Sequence, residues 1–475
     1  MGDVHFLLAC AGPDQTLVAW VNDEAAHARD RVKLIGEMTR MAKPFDPDPN
    51  RPDIVVIVLD TVRADHLGLY GYGGATTPNL DRWSADARVW ERMVATSSWT
   101  LPSHASLFTG LWPRSHGAHG VPDHLAAPLA PNTPTVARAL RDAGWQTAGI
   151  AANQAFLDRS WGLAQGFSLW MCDQIERDAR GTSYPTADRI TDLALTYLKR
   201  RGDTPTLLFL NYMDAHTPWI PRAGYVARPD RLDRRVLPLS DGWDELKIDL
   251  IVDRKLDPAT QASWIEAYDA ELRFLDAELG RLLDGLRGVG VGPEDHVFIL
   301  SDHGEYLGEH FLVEHSKDVY DTALHVPYLH RGPGVVPGRA SEPVQHTDVA
   351  RHILAAAGLP PLGSPYLVDG DPMQVAELYY TRRRERDNQR YGGRFDRIRR
   401  AFYLDQNTLI RGSDQSEEAY DRGSDPGQVR PVPDAPWVPA LRGASEAWLA
   451  AHPEAAAVDA PVLNVEALRA LGYVE

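Results

Sequence analysis

The sequence predicts an α/β fold: a central, mostly parallel sheet sandwiched by helices, with a smaller C-terminal α+β subdomain. Three observations predict it. Continuous β-branched and aliphatic runs occur at Asp53–Asp60, Thr206–Asp214 and His296–Asp302, the pattern of strands covered on both faces. Helical periodicity lies between them, as over Thr133–Ala143 and Trp264–Leu286, and alternating strands and helices build a sheet whose ligands gather at its carboxyl edge. The runs end in polar residues, Asp60, Asp214 and Asp302-His303, where such a site would lie.

Residues 1–50 form an N-terminal extension, with a helix expected from Asp23 to Lys43 and a Pro/Asp-rich linker from Pro44 to Pro49. Residues 51–360 form the main α/β domain, which carries the chemistry. Residues 361–475 form the C-terminal subdomain, where apolar runs thin out. There Phe402–Asp405 and Thr408–Arg411 read as a hairpin with its turn at Gln406-Asn407. The basic stretch Arg382–Arg400 reads as a solvated helix face or loop.

The net charge of −17, from 49 basic and 66 acidic side chains, argues against nucleic acid or an anionic membrane as partner. It leaves room for an anionic small molecule, because a bound cation inverts the local charge. Two cysteines, Cys10 and Cys172, are too few for a disulfide framework and read as buried thiols. The N-terminus has an acidic residue, no basic one and a very short apolar run, so no signal peptide is expected. No stretch approaches the length of a membrane span. The expected compartment is the cytoplasm.

The segment from Ser97 to Gly110 carries the most chemistry. Thr100 stands two residues before Pro102, which reads as the first residue of a helix. The free N–H groups and positive dipole end of that helix would face an anion bound at Thr100. Asp60 and Asp302-His303 end two different strands, and carboxylates and imidazole converging at a sheet edge suit a divalent cation.

This segment resembles the active-site signature of the sulfatase branch of the alkaline-phosphatase superfamily, Cys-x-Pro-Ser-Arg-Ala-Ser-Leu-x-Thr-Gly. Thr100 stands at the position of the cysteine that becomes formylglycine, and His104 at that of the arginine. Further matches are Asp60 with Arg63–Gly71, Thr77–Asp81, Ser301–Glu305 with Leu307–His310, His346–Asp348, Tyr420-Asp421 with Asp425–Gly427, and the terminal Leu468–Val474. The likeness runs from about residue 52 onward. It implies metal ligation by Asp60, Asp302 and His303, and substrate contacts from His104 and from His216, which matches the family's histidine motif. Asn153 is the polar contact left where many sulfatases carry Lys-x-His. His315 follows His303 by twelve residues, the spacing at which phosphoethanolamine transferases place a second active-site histidine. Lys317 would be a cationic clamp, and Asp214 stands between a second-metal ligand and a structural role.

The departures set the expected chemistry. Threonine cannot become an aldehyde, Asp60 is followed by Thr61 rather than a second aspartate, and Asp302 is followed by histidine rather than asparagine. An Asp, Asp, His set with threonine resembles families that attack phosphorus, and mixed N/O ligation favours zinc or manganese over calcium or magnesium. The expected activity is metal-dependent hydrolysis of phosphate or phosphonate esters of a small anionic molecule through a phosphothreonine on Thr100. His216 and His315 would be the proton carriers. The alternatives are a soluble phospho-group transferase and a sulfate-ester hydrolase using threonine in place of formylglycine. Oligomeric state is left open.

Overall fold

The computed structural model describes residues 9–10, 17–18, 50–122, 125–172, 184–381, 383–456 and 458. The helix expected from Asp23 to Lys43 and the linker after it lie outside these residues. The main sheet contains β1 (Ala9–Cys10), β2 (Leu17–Val18), β3 (Ile54–Leu59), β4 (Arg88–Trp90), β5 (Gln146–Ala151), β6 (Leu169–Met171), β7 (Thr206–Tyr212), β8 (His296–Ser301), β9 (Tyr328–Arg331) and β10 (Gly338–Ala340). Their order across the sheet is β1-β2-β6-β5-β7-β3-β8-β9-β4-β10. From β2 to β8 neighbouring strands run parallel. β9 is antiparallel to both β8 and β4, and β10 is parallel to β4.

Every residue of β3, β7 and β8 is buried, which is why these strands read as unbroken apolar runs rather than alternating ones. Each buried Val, Ile or Leu side chain contributes roughly 1.5–3 kcal/mol relative to exposure. The register places Leu59 opposite Tyr212 on one side and Ser301 on the other, and Ala151 opposite Asn211. The four strands therefore finish level, and the polar residues that follow them meet at one edge.

Helices α1 (Thr100–Thr109), α2 (Val136–Asp142) and α5 (His346–Ala356) pack on one another, and α3 (Ala187–Arg200) packs on α4 (Pro258–Leu286). α4 starts earlier than the apolar pattern beginning at Trp264 suggests. Asp257 caps it by accepting from Thr260 N at 3.2 Å, and Pro258 stands in its first turn. No described helix is long and apolar enough to cross a membrane. Cys172 is half-buried rather than buried as expected, and its thiol donates to Asn153 O at 3.6 Å.

A second, antiparallel sheet of β11 (Gln374–Tyr379), β12 (Ile398–Leu404), β13 (Asn407–Gly412) and β14 (Glu417–Asp421), in that order, forms a C-terminal subdomain. α6 (Val438–Ala451) seals it with the wholly buried Trp448, which packs edge-on to Phe402 and Trp112. The β12–β13 hairpin turns at Asp405-Gln406, one residue before the expected turn. Leu404 pairs with Asn407, and Asp405 takes a positive φ of 54°, a conformation Asp tolerates. The basic stretch is not a solvated face throughout. Arg399 is buried and donates to Asp318 Oδ1 at 2.9 Å and Glu418 Oε1 at 2.5 Å, while Arg400 donates to Glu377 Oε1 at 2.7 Å. Burial compels these cations to pair.

Candidate active site

α1 begins at Thr100, not at Pro102, with Trp99 extended before it at φ −162° and ψ 164°. A proline is tolerated anywhere in the first turn because no N–H there has an intrahelical acceptor. Thr100 is thus the first helical residue, with its side chain at the positive end of the helix. The preceding loop is fixed on several sides. Thr96 N donates to His346 Nδ1 at 3.2 Å, Ser97 Oγ to Glu377 O at 2.6 Å, Glu377 N to Thr96 O at 2.9 Å, and Ser316 N to Ser98 O at 2.9 Å. The first strand of the C-terminal sheet therefore helps to hold the segment that carries Thr100.

Asp60, Asp302 and His303 come together at the level ends of β3 and β8, all buried, with ligand atoms within 4.8 Å of one another. His303 Nε2 lies 3.4 Å from Asp302 Oδ2, 3.8 Å from Asp60 Oδ1 and 3.4 Å from Thr100 Oγ1. Its Nδ1 meets Gly304 O at 3.0 Å. A carbonyl only accepts, so Nδ1 carries the hydrogen and Nε2 the lone pair. A Cβ on Gly304 would stand 2.4 Å from Thr322 O, so only glycine lets the chain pass here after His303. Thr61, at φ 59°, turns its N–H onto Asp302 Oδ1 at 3.2 Å. A β-branched residue in the left-handed region is strained, and such strain collects at functional sites.

The residues fit a divalent cation. Asp60 Oδ1 and Asp302 Oδ2 are buried without a hydrogen-bond partner, which is costly unless something outside the protein neutralises them. Burial holds both carboxyls above their usual range, and the charge of Asp60 pushes Asp302 further. Burial, then the neighbouring His315, drives His303 well below an ordinary imidazole. Two carboxylate oxygens and a neutral imidazole nitrogen form a mixed N/O donor set.

Asn153 joins this cluster to the nucleophile position: its Nδ2 donates to Asp60 Oδ2 at 2.9 Å and to Thr100 Oγ1 at 3.2 Å. Asn211, on β7, accepts from Asn153 N at 2.9 Å and from Ala152 N at 3.2 Å. His104 donates from Nδ1 to Thr100 O at 2.9 Å, 3.6 Å from Asp302 Oδ2, and its Nε2 is buried without a partner. Burial takes His104 down to about 3, so it is neutral.

His216 and His315 lie beside the cluster. The His315 ring centroid is 4.7 Å from that of His216 and 4.7 Å from that of His303. His216 donates from Nδ1 to Thr217 O, and His315 meets Glu305 Oε1 through Nδ1 at 3.0 Å. Lys317, read from the sequence as a clamp for the anion, is buried and held between Glu314, at 3.1 Å, and Glu385. Two carboxylates already neutralise it. Asp214 Oδ1 accepts from Ala187 N at 3.2 Å and pairs with Arg222 at 3.3 Å, while its Oδ2 is buried with no partner among the described residues.

Sequence reasoning placed Glu305 and His346 in family motifs and Asn211 in a strand, but gave none of them a role in the site. Asn211 had a signal, as the polar residue inside an otherwise apolar strand. His346 donates from Nε2 to Ser301 O at 3.0 Å and accepts from Thr96, a bridge that needs the folded chain to be seen.

A doubly covered parallel sheet whose strand ends carry two carboxylates and an imidazole able to hold a cation, beside a hydroxyl at a helix N-terminus, is the α/β architecture of the sulfatase and alkaline-phosphatase-like structures. The Sulfatase family matches residues 52–359, and the chain belongs to that family. The uncharacterized sulfatase YidJ of Escherichia coli is 23% identical over 438 residues, covering 81% of this chain and 83% of that protein. An ulvan-active sulfatase of Formosa agariphila is 24% identical over 368 residues, covering 73% and 67%. Among solved structures, the phosphonate monoester hydrolase of Agrobacterium radiobacter superposes with a TM-score of 0.63 at 18% identity, over 84% of this chain and 95% of that one. The phosphonate monoester hydrolase of Silicibacter pomeroyi gives 0.63 at 21% identity, over 84% and 95%. These likenesses show the fold.

Proposed function

We propose that the protein is a metal-dependent hydrolase of phosphate or phosphonate esters, with Thr100 as nucleophile and a covalent phosphothreonine as intermediate. One observation carries the reading: Thr100 Oγ1 stands at the N-terminus of α1, 3.4 Å from His303 Nε2 and 3.2 Å from Asn153 Nδ2. A threonine there is an unmodified alcohol, suited to attack on phosphorus and unable to supply an aldehyde hydrate.

Asp60, Asp302 and His303 would hold the cation, zinc or manganese on this donor set. When bound it supplies Lewis acidity to the reacting oxygens. Asn153 orients Thr100 by donating to its oxygen. Thr100 gives its hydroxyl proton to solvent as its Oγ forms a bond to phosphorus, and the bond to the leaving oxygen breaks with its electron pair on that oxygen. His216 or His315 gives that oxygen a proton from Nε2, since Nδ1 of each is engaged elsewhere. In the second half the same nitrogen takes a proton from water, which attacks phosphorus and releases Thr100, whose oxygen takes a proton back from solvent. The N–H groups and dipole at the start of α1 stabilise the charge on the phosphoryl oxygens.

Sulfate-ester hydrolysis through the same threonine is the second reading, supported by the ulvan-active sulfatase among the relatives. Turnover by zinc- or manganese-loaded protein on chromogenic phosphate monoester, phosphate diester, phosphonate monoester and sulfate separates the two, with Thr100→Ala alongside. Thr100-dependent cleavage of a phosphorus ester, with sulfate untouched, is the expected result. Preferential sulfate cleavage would replace the first reading with the second.

A further inference from the structure

Glu305 follows Asp302-His303-Gly304 and is wholly buried. Both of its oxygens accept. Oε1 takes His315 Nδ1 at 3.0 Å, and Oε2 takes Thr217 Oγ1 at 2.7 Å and Thr217 N at 3.2 Å. One carboxylate thus ties together the two segments that carry histidines, His315 by its ring and His216 through its neighbour. Only a carboxylate accepts at both ends, since a glutamine amide would set an NH2 group against one of the donors.

The backbone around His315 supports a built position. Glu314 and Ser316 have φ of 66° and 55°, non-glycine residues in the left-handed region, which persist where the surroundings over-determine them. Ser316 N is anchored on Ser98 O at 2.9 Å, two residues before Thr100. His315 is therefore fixed by its backbone to the nucleophile loop and by its ring to a buried carboxylate. His216 donates to a neutral carbonyl, Thr217 O, and also feels the charge of Glu305, whereas His315 takes a hydrogen bond to that carboxylate directly. A charge-assisted hydrogen bond holds a ring more firmly than a neutral one.

We propose that Glu305 is a positioning residue for leaving-group protonation, fixing His315 so that its Nε2 hands the proton to the departing oxygen. The inference rests on the Thr100 reading and deepens it, since it chooses between the two histidines. In the step, Thr100 gives its hydroxyl proton to solvent as its Oγ bonds to the central atom of the ester, and the bond to the leaving oxygen breaks with its electron pair on that oxygen. The proton on His315 Nε2 moves to it, and Nδ1–H stays on Glu305. His216 is left to orient the anion.

The test compares metal-loaded wild type with Glu305→Gln on 4-nitrophenyl and phenyl phenylphosphonate, two esters of one acid that differ in leaving group. If sulfate esters are the ones turned over, 4-nitrophenyl and phenyl sulfate form the pair. A good leaving group needs no acid and a poor one does. Glu305→Gln is expected to lower kcat about 100-fold on the phenyl ester and less than about 5-fold on the 4-nitrophenyl ester, with KM unchanged. In a His315→Ala background the same change should add less than about 2-fold. Equal losses on both esters, a loss carried by KM, or an effect additive with His315→Ala would overturn the proposal. The ratio of the two rates in one sample does not depend on how much of the variant folds, and Glu305→Asp is read the same way should Glu305→Gln not accumulate. Thr100→Ala keeps the two readings apart. If it is inactive while the Glu305→Gln ratio stays at the wild-type value, this inference alone fails. If it keeps wild-type turnover, the Thr100 reading fails and this one with it.

Discussion

Asp53 and Asp60 stand at opposite ends of the same strand, both buried, and are provided for in opposite ways. Asp53 is matched inside the protein: the Arg201 guanidinium donates to both of its oxygens, and Thr206 N adds a bond at 2.9 Å. Asp60 meets only neutral amides, Asn153 at 2.9 Å and Asn211 at 3.5 Å, and its Oδ1 has no partner. Burial raises both carboxyls; at Asp53 the Arg201 guanidinium offsets part of that rise, whereas Glu305 adds its charge against Asp60. A buried carboxylate paired within the chain holds the fold together. One left short of a cation is a place for a ligand, because the protein would otherwise carry an uncompensated buried charge.

The largest effect expected from this contrast is chemical. Thr100→Ala should lower kcat by about 1,000-fold or more on whichever chromogenic ester is cleaved, without lowering metal content. Asp60→Asn should come next, cutting bound zinc or manganese, measured by elemental analysis after desalting, to less than about a tenth. The same variant sharpens the comparison through stability. In chelator it should melt at or above wild type, since it deletes an uncompensated charge. In saturating metal it should fall about 2–3 kcal/mol behind, the linkage the wild type alone enjoys. If Asp60→Asn were instead destabilised in chelator, Asp60 would be a structural aspartate like Asp53.

Asp53→Asn tests the other end. It strands Arg201 in the interior and should cost about 3–5 kcal/mol in urea unfolding, equally with and without metal, while metal content per folded molecule holds. Loss of metal in this variant would break the comparison from the opposite side. The smallest effect should come from Asn153→Ala, about 10-fold in kcat with about 1 kcal/mol of stability. It removes one neutral donor shared by Asp60 and Thr100 and leaves the charges in place.

The main sheet was legible because buried parallel strands are apolar along most of their length, and β3, β7 and β8 announce themselves as such. Asp60, Asp302 and His303 were nameable because they follow strand ends within two residues, and the register then makes those ends level; Asn153 was nameable only through the family resemblance. Helix and turn boundaries were less legible. Pro102 fits any first-turn position, and the first turn of α4 has too few apolar residues to show a period. Lys317 looked available because its carboxylate Glu385 lies far along the chain, and Arg399 looked solvated because Asp318 and Glu418 do.

By itself, then, the sequence determined the alternation of covered strands and helices, a threonine in place of a cysteine, and the polar residues that strand ends deliver to one edge. These follow from local composition and spacing, which act over a few residues. Only the tertiary structure decided which buried charges are matched and which are not. Arg201 reaches Asp53, Arg222 reaches Asp214 and Glu385 reaches Lys317, while no cation among the described residues is hydrogen-bonded to Asp60 Oδ1 or Asp302 Oδ2. Pairing in a medium of low dielectric depends on distances between segments remote in sequence, and folding alone sets those distances.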